Sequence, residues 1–327
     1  MNEPVLPSEP DVLGYLTSLS NWGRWGPGDE RGTLNLITPA GVRRALGLAA
    51  DGVAVSCARE ISAEAEPTDS LGPPHRFMVM TGEGLADEHR VRKPDQGFGD
   101  GGSRVHGASE YLGMVFHGFT VTHLDALSHI FWDGQMYGPS PAAHVNALQG
   151  ATSNAVTAAV DGILTRGVLL DVPAVSGVPW LEPGTPVTPA DLEAAEAAQG
   201  VRVAGGDAVL LRTGYGSRRR EIGAVDVRTD GQAGWHAACL PWLHARGVAL
   251  IGSDAGCDVV PSGYPELVMP VHVVGIVAMG LWLIDNLDLE RASETARRLG
   301  RWEFLFVSAP LRLAGGTGSP VNPLAVF

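Results

Sequence analysis

The sequence predicts an α/β or α+β protein built on a central sheet flanked by helices, and three observations carry that expectation. Three runs, Gly167 to Val172, Ala208 to Arg212 and Ala249 to Ser253, have the length and apolar density of buried strands. Between them lie helix signals, above all Thr188-Pro189-Ala190-Asp191 opening a helix to Gln199, with Gly200 placed to end it. The chain of 327 residues is 45% hydrophobic and 18% charged, which supports a substantial core and argues against disorder. A single domain over residues 1–327, with an N-terminal arm over about residues 1–35, fits this length.

Taken in order, Ser8-Glu9-Pro10-Asp11 starts a short helix with Val12, Tyr15, Leu16 and Leu19 at helical spacing. Trp22 and Trp25 then sit in a glycine-rich loop and read as packing residues, although in an oligomer such an arm could cover a neighbour's pocket. Thr38-Pro39 opens an amphipathic helix, and Val53 to Cys57 reads as a strand. Glu64 to Arg104 is rich in Pro, Gly and charge, with a strand near Phe77 to Thr81. Within it, Asp95 to Gly102 has little to pack and reads as a mobile surface loop, with a lid as the functional alternative. Asp133-Gly134 marks a turn, Asp171 is either support for a site or a structural turn carboxylate, and Asp254 ends a strand where α/β sheets often face a ligand. His236 and His244 flank Pro241-Trp242 on a predicted helix and read as surface or packing residues. Pro270 opens a further helix carrying His272, Ile276, Met279 and Leu283, and Trp302 to Leu311 reads as a strand before a glycine loop and an apolar tail.

A formal net charge of −13 and a pI near 5.1 exclude a nucleic-acid partner, since phosphate binding needs a basic surface. Arg218-Arg219-Arg220 is short and reads as a solvated loop or helix end. Three scattered cysteines, Cys57, Cys239 and Cys257, form neither a disulfide framework nor a zinc-finger spacing. The opening residues carry no secretory signal, and the run Val268 to Ile284, interrupted by Pro270 and His272, falls short of a membrane span. A cytoplasmic enzyme on a small-molecule substrate is the expectation.

The chemistry concentrates in Phe116 to Gly134, where His117, His123, His129 and Asp125 fall within 13 residues among apolar neighbours. If Val121 to Asp125 is extended, His123 and Asp125 project from one face and can share a divalent ion such as zinc or manganese. If the chain turns helical at Asp125, His129 lies on the same face four residues on and can carry a proton. The structural alternative, polar core groups satisfied by backbone, must bury four ionisable groups without a use, which is costly.

At these residues the sequence resembles the metal-dependent cyclase family that includes bacterial kynurenine formamidase and isatin hydrolase. Its motif, His-x-Gly-Thr-His-x-Asp-x-Pro-x-His, is matched by Thr122, His123, Asp125 and His129, whereas Phe119, Val121 and Leu127 stand in place of the first His, the Gly and the Pro. The missing His is a metal ligand in the family; His117, on the same face as Phe119 in an extended chain, can take its place. Asn21 to Pro27, Gly32 to Pro39, Arg166 to Val172, Gly206 to Gly214 and Asp285 to Glu290 follow the family order, so the resemblance spans nearly the whole chain.

The resemblance implies a swivelling β/β/α fold in a homodimer or homotetramer and a Zn or Mn cofactor. His123 and Asp125, with His117 as third ligand, would hold the ion, and His272 with Asp285 would complete that site or a second one. Asp285 is one methylene shorter than the family's Glu. His129 would be the general acid and base, and Phe119, Phe131 and Trp132 would line a pocket for a flat ring. The implied reaction is hydrolysis of a C–N bond in an amide, lactam, imide or N-formyl substrate. Two rivals are a natural-product cyclase or dehydratase that uses little metal and a non-catalytic ligand-binding homologue.

Overall fold

The structure is a computed structural model that describes residues 6–66, 68, 71–83 and 107–327, so the predicted loop from Asp95 to Gly102 lies outside the described residues. Its centre is a nine-stranded sheet made of β1 (Ala54–Ser56), β2 (His123–Asp125), β3 (Ile163–Asp171), β4 (Ala208–Arg212), β5 (Leu250–Ser253), β6 (Trp282–Asp285), β7 (Glu303–Ser308), β8 (Gly318–Pro320) and β9 (Leu324–Val326). The spatial order is β1-β9-β7-β3-β4-β5-β6-β2-β8. The middle four strands, β3 to β6, are parallel, and the strands on either side of them pair antiparallel.

Parallel strands need crossovers, and helices supply them: Pro189–Gln199 between β3 and β4, Tyr215–Ile222 and Cys239–Arg246 between β4 and β5, and Pro270–Met279 between β5 and β6. With helices on its faces the central sheet is covered, and every residue of β4, β5 and β6 is buried. Where β3 meets β7 the packing is close enough to demand glycine, since a Cβ on Gly167 would stand 2.3 Å from the Phe304 ring. The mixed sheet with flanking helices agrees with the expected fold, and the predicted caps are in place. Thr188 and Asp191 form a capping box and Gly200 adopts φ 64° at the other end.

The N-terminal segment packs on its own chain. Helix Glu9–Ser18 starts from a Ser8/Asp11 capping box. Asn21 then donates to the carbonyls of Ala278 and Met279, Trp22 Nε1 donates to Val277 O at 2.6 Å, and Thr33 Oγ1 bonds the carbonyls of Ala249 and Gly280. This ties residues 21–33 to the crossover that carries His272.

That crossover differs from expectation. The helix runs Pro270–His272, widens to a π-helical stretch over Val273–Met279, and ends at Gly280 with φ 64°. Leu283 therefore belongs to β6 and not to the helix, because the left-handed glycine ends it one turn early. His244 lies in helix Cys239–Arg246, whereas His236 precedes it, with its Nδ1 accepting from the Ala238 N–H. Asp171 and Asp254 resolve as structural carboxylates: Asp171 pairs with Arg212, and Asp254 accepts from the N–H groups of Thr213, Gly214 and Tyr215. Among the described residues no helix is long and apolar enough to cross a membrane.

Candidate metal centre

Strand β2 lies between β6 and β8, with His123 opposite Asp285 and Asp125 opposite Leu283 and Gly318. Two-residue alternation puts His123 and Asp125 on one face, and cross-strand pairing brings Asp285 to that face beside His123. The shorter acid at 285 thus arrives by register: its Oδ2 is 3.3 Å from His272 Nε2, and its Oδ1 accepts from the Cys257 N–H at 2.9 Å.

His117 reaches the same place by another route. Residues 114–122 form no strand, so the expected shared strand face of His117 and Phe119 is not what positions the imidazole. The segment is a bend held from behind: Asn286 Nδ2 donates to Gly118 O and Val121 O, and Arg59 Nη1 donates to Phe119 O. From it His117 Nδ1 comes within 3.0 Å of Asp125 Oδ1, and Nε2 lies 3.2 Å from Thr317 Oγ1. Gly318 makes the room, since a Cβ there would stand 2.6 Å from His117 Cε1.

After β2 the chain turns, with the His129 N–H donating to Ala126 O, and does not become a helix. The turn still returns His129 to Asp125, Nε2 to Oδ1 at 3.8 Å, and stacks its ring on His117 with centroids 3.8 Å apart and planes 5° apart. His272, from the π-helical crossover, places Nε2 3.4 Å from Asp125 Oδ2. The result is two triplets sharing Asp125: His117, His123 and Asp125, and Asp125, His272 and Asp285. The ligand atoms of each lie within 4.8 Å of one another.

The donor chemistry of the cluster fits a divalent cation. His123 Nδ1 is 2.8 Å from Val121 O, which can only accept, so a proton sits there and Nε2, 3.5 Å from Asp125, is the nitrogen left to bind an ion. Asp125 is 0% exposed, and its Oδ2 has no hydrogen-bond partner among the described residues. A bare buried carboxylate oxygen beside imidazole nitrogens is a poor core and a good ligand set.

Comparison with known proteins decides the family. Residues 60–257 match the Cyclase family, and a crystal structure described as that of a novel cyclase is 30% identical, with a TM-score of 0.84 over 95% of this chain and 99% of that one. The chain belongs to the Cyclase family. Its fold is also similar to isatin hydrolase A from Labrenzia aggregata bound to benzyl benzoate (18% identity, TM-score 0.59, 87% of this chain and 98% of that one). Isatin hydrolase A from Ralstonia solanacearum is alike at 22% identity and a TM-score of 0.56, over 88% of this chain and 97% of that one. No curated protein sequence matches the chain.

In this cyclase-family chain the electrostatics of the cluster call for positive charge. Burial opposes a charge on His272, yet Asp285, Asp125 and Asp258 outweigh it and hold the imidazole well above its ordinary pKa. Burial dominates at His129 and pushes it down to about 4, which leaves the ring neutral at pH 7. Burial and the neighbouring carboxylates drive the Cys257 thiol well above its ordinary value, so it stays protonated.

Phe116 joins the aromatics that the sequence singled out near the cluster. Phe131 is 43% exposed and Trp132 packs against the main core, while the described contact of Phe119 is through its backbone carbonyl. Phe116 is the ring that lies against the cluster, 4.6 Å from His117 and 6.3 Å from His123. Asp258, Asn286 and Arg59 also went unforeseen. Asn286 could have been found from its place beside Asp285, but nothing in spacing marks Asp258 or Arg59.

Proposed function

We propose that this protein is a metal-dependent hydrolase of a C–N bond, acting on an amide, lactam, imide or N-formyl group in a small cyclic or aromatic substrate. The observation that carries the reading is the buried carboxylate of Asp125, whose Oδ1 faces His117 and His123 and whose Oδ2, without a close hydrogen bond among the described residues, faces His272 beside Asp285. Membership of the Cyclase family and the isatin hydrolase fold agree with it. Those five side chains would hold one ion or two, zinc or manganese by donor type. Such an ion supplies carbonyl polarisation and a water acidic enough to attack near neutral pH.

The chain's own residues do the rest. His129, neutral and partly exposed on the open side of Asp125, takes the proton of the attacking water at Nε2 and returns it to the departing nitrogen as the C–N bond breaks. His117, stacked on it, fixes the ring plane. Phe116 gives the cluster an apolar wall suited to a flat substrate.

The test is to purify the protein without chelator, measure bound metal, and assay N-formylkynurenine and isatin before and after EDTA. Chelation should abolish turnover and added zinc or manganese should restore it. His129→Ala should lose about 10²- to 10⁴-fold in turnover with its metal retained. Turnover that survives complete metal removal refutes the reading in favour of a cyclase or dehydratase that works without an ion.

We further propose a cytoplasmic homo-oligomer; three buried, unpaired cysteines suit a reducing compartment. The hairpin of His75–Met80 and Ser109–Gly113 supports assembly, because Phe77, Val79 and Tyr111 are 57%, 62% and 50% exposed on a two-stranded unit that is marginal alone. Val79→Lys should shift the assembly to a smaller species in light scattering, and an unchanged mass would remove the hairpin from the interface.

A further inference from the structure

Asp258 lies 3% exposed behind His272, and three N–H groups converge on its two oxygens. The Val271 N–H donates to Oδ1 at 2.7 Å, the His272 N–H donates to Oδ2 at 3.1 Å, and His272 Nδ1 stands 2.5 Å from that same Oδ2. An ionised carboxylate only accepts, so the ring nitrogen facing it must carry the proton. The other ring nitrogen, Nε2, faces Asp125 and Asp285 at 3.4 and 3.3 Å, and is the nitrogen whose proton a bound cation would displace.

We infer that Asp258 is a positioning residue that fixes the ring orientation and proton location of His272 and so makes it a ligand; this rests on the metal-centre reading above. Asp258 itself is anchored, its main-chain carbonyl accepting from Gln232 Nε2 at 2.8 Å and the N–H of its neighbour Cys257 donating to Asp285. One short loop therefore orients both members of the His272/Asp285 pair. A plain helix-capping role needs only the two main-chain bonds. The positioning role adds the third, to the ring.

Asp258→Asn separates the two. An amide offers one oxygen to three donors, and whichever way it turns, its NH₂ opposes an N–H that needs an acceptor. Where the NH₂ faces the ring, His272 is driven to carry its proton on Nε2, in front of Asp125, and ceases to be a ligand. The measurement is zinc affinity by chelator competition for native protein, Asp258→Asn, His272→Ala and the double variant. Asp258→Asn should weaken binding about 10- to 100-fold in the native background, with no further loss in the His272→Ala background. Equal losses in both backgrounds, or an unchanged affinity, overturn the inference.

A second measurement holds if the variant does not fold. In ¹⁵N NMR of the zinc-loaded native protein the His272 proton should sit on Nδ1, and a proton on Nε2 overturns the inference. Native protein that binds no zinc would refute the metal reading instead. In that zinc-free protein the Nδ1 proton of His272 should still be seen held by Asp258, and its absence would overturn the inference.

Discussion

Two buried charge clusters sit at the carboxyl ends of the central strands, and only one of them is complete. At the ends of β3 and β4, Arg212 bonds Asp171 at 2.8 Å and Glu290 at 2.9 and 3.2 Å, while Ser293 donates to the other Asp171 oxygen at 2.5 Å and Ser217 adds a bond to Glu290 Oε2 at 2.6 Å. A guanidinium fills the space between two carboxylates, and its fork satisfies them. At the end of β6 the carboxylates of Asp285 and Asp125 face imidazoles in place of an arginine, and Asp125 Oδ2 has no close hydrogen bond among the described residues, only His272 Nε2 at 3.4 Å. Both clusters are buried and acidic. The first is neutralised by a guanidinium that keeps its protons, whereas the second holds only imidazoles, which can give up a proton to a cation.

Asp125→Ala should break the comparison most severely, because it removes the residue common to both triplets. Bound metal should fall by more than about 100-fold in affinity, beyond the effect of a residue behind a ligand, with turnover lost alongside; metal analysis checks this, and a retained ion would mean that Asp125 is not a ligand. Arg212→Ala should act on the other cluster alone. It strands two buried carboxylates and should cost about 3–5 kcal/mol in denaturant unfolding, with metal content per folded molecule unchanged.

The smallest effect is one of pH. Burial tends to raise the Glu290 pKa, but the hydrogen bonds from Arg212 and Ser217 outweigh it and hold it below the ordinary value. The group therefore stabilises the fold above its unfolded pKa, about 4.3, and that contribution fades as pH falls through the lower folded value. The stability gap between native protein and Glu290→Gln should be flat near neutrality and shrink only in acid. A gap that instead grows on acidification would show that Glu290 is protonated in the fold.

Much of the frame was legible because it is local. β3, β4 and β5 announce themselves as apolar runs, and Thr188, Asp191 and Gly200 mark a helix by chemistry confined to its ends. His123 and Asp125 were legible for the same reason, since alternation along a strand is a two-residue rule. What failed was longer in range. His117 reaches Asp125 from a bend that Asn286 and Arg59 help to hold, from 169 and 58 positions away in sequence. The extent of the helix after His272 was misjudged because Ile276, Met279 and Leu283 keep helical spacing straight through the left-handed turn at Gly280. Asp258 could not be singled out, because its role exists only once β5's loop folds against the crossover.

The bonds from Asn21 and Trp22 to Val277, Ala278 and Met279 give the leading segment a hold on the far end of the ribbon that presents His272. Lifting that segment, by a protease cut or a competing surface, would release the ribbon from the rear. At the proposed metal site the damage should surface first as weaker metal binding, well before the sheet itself gives way.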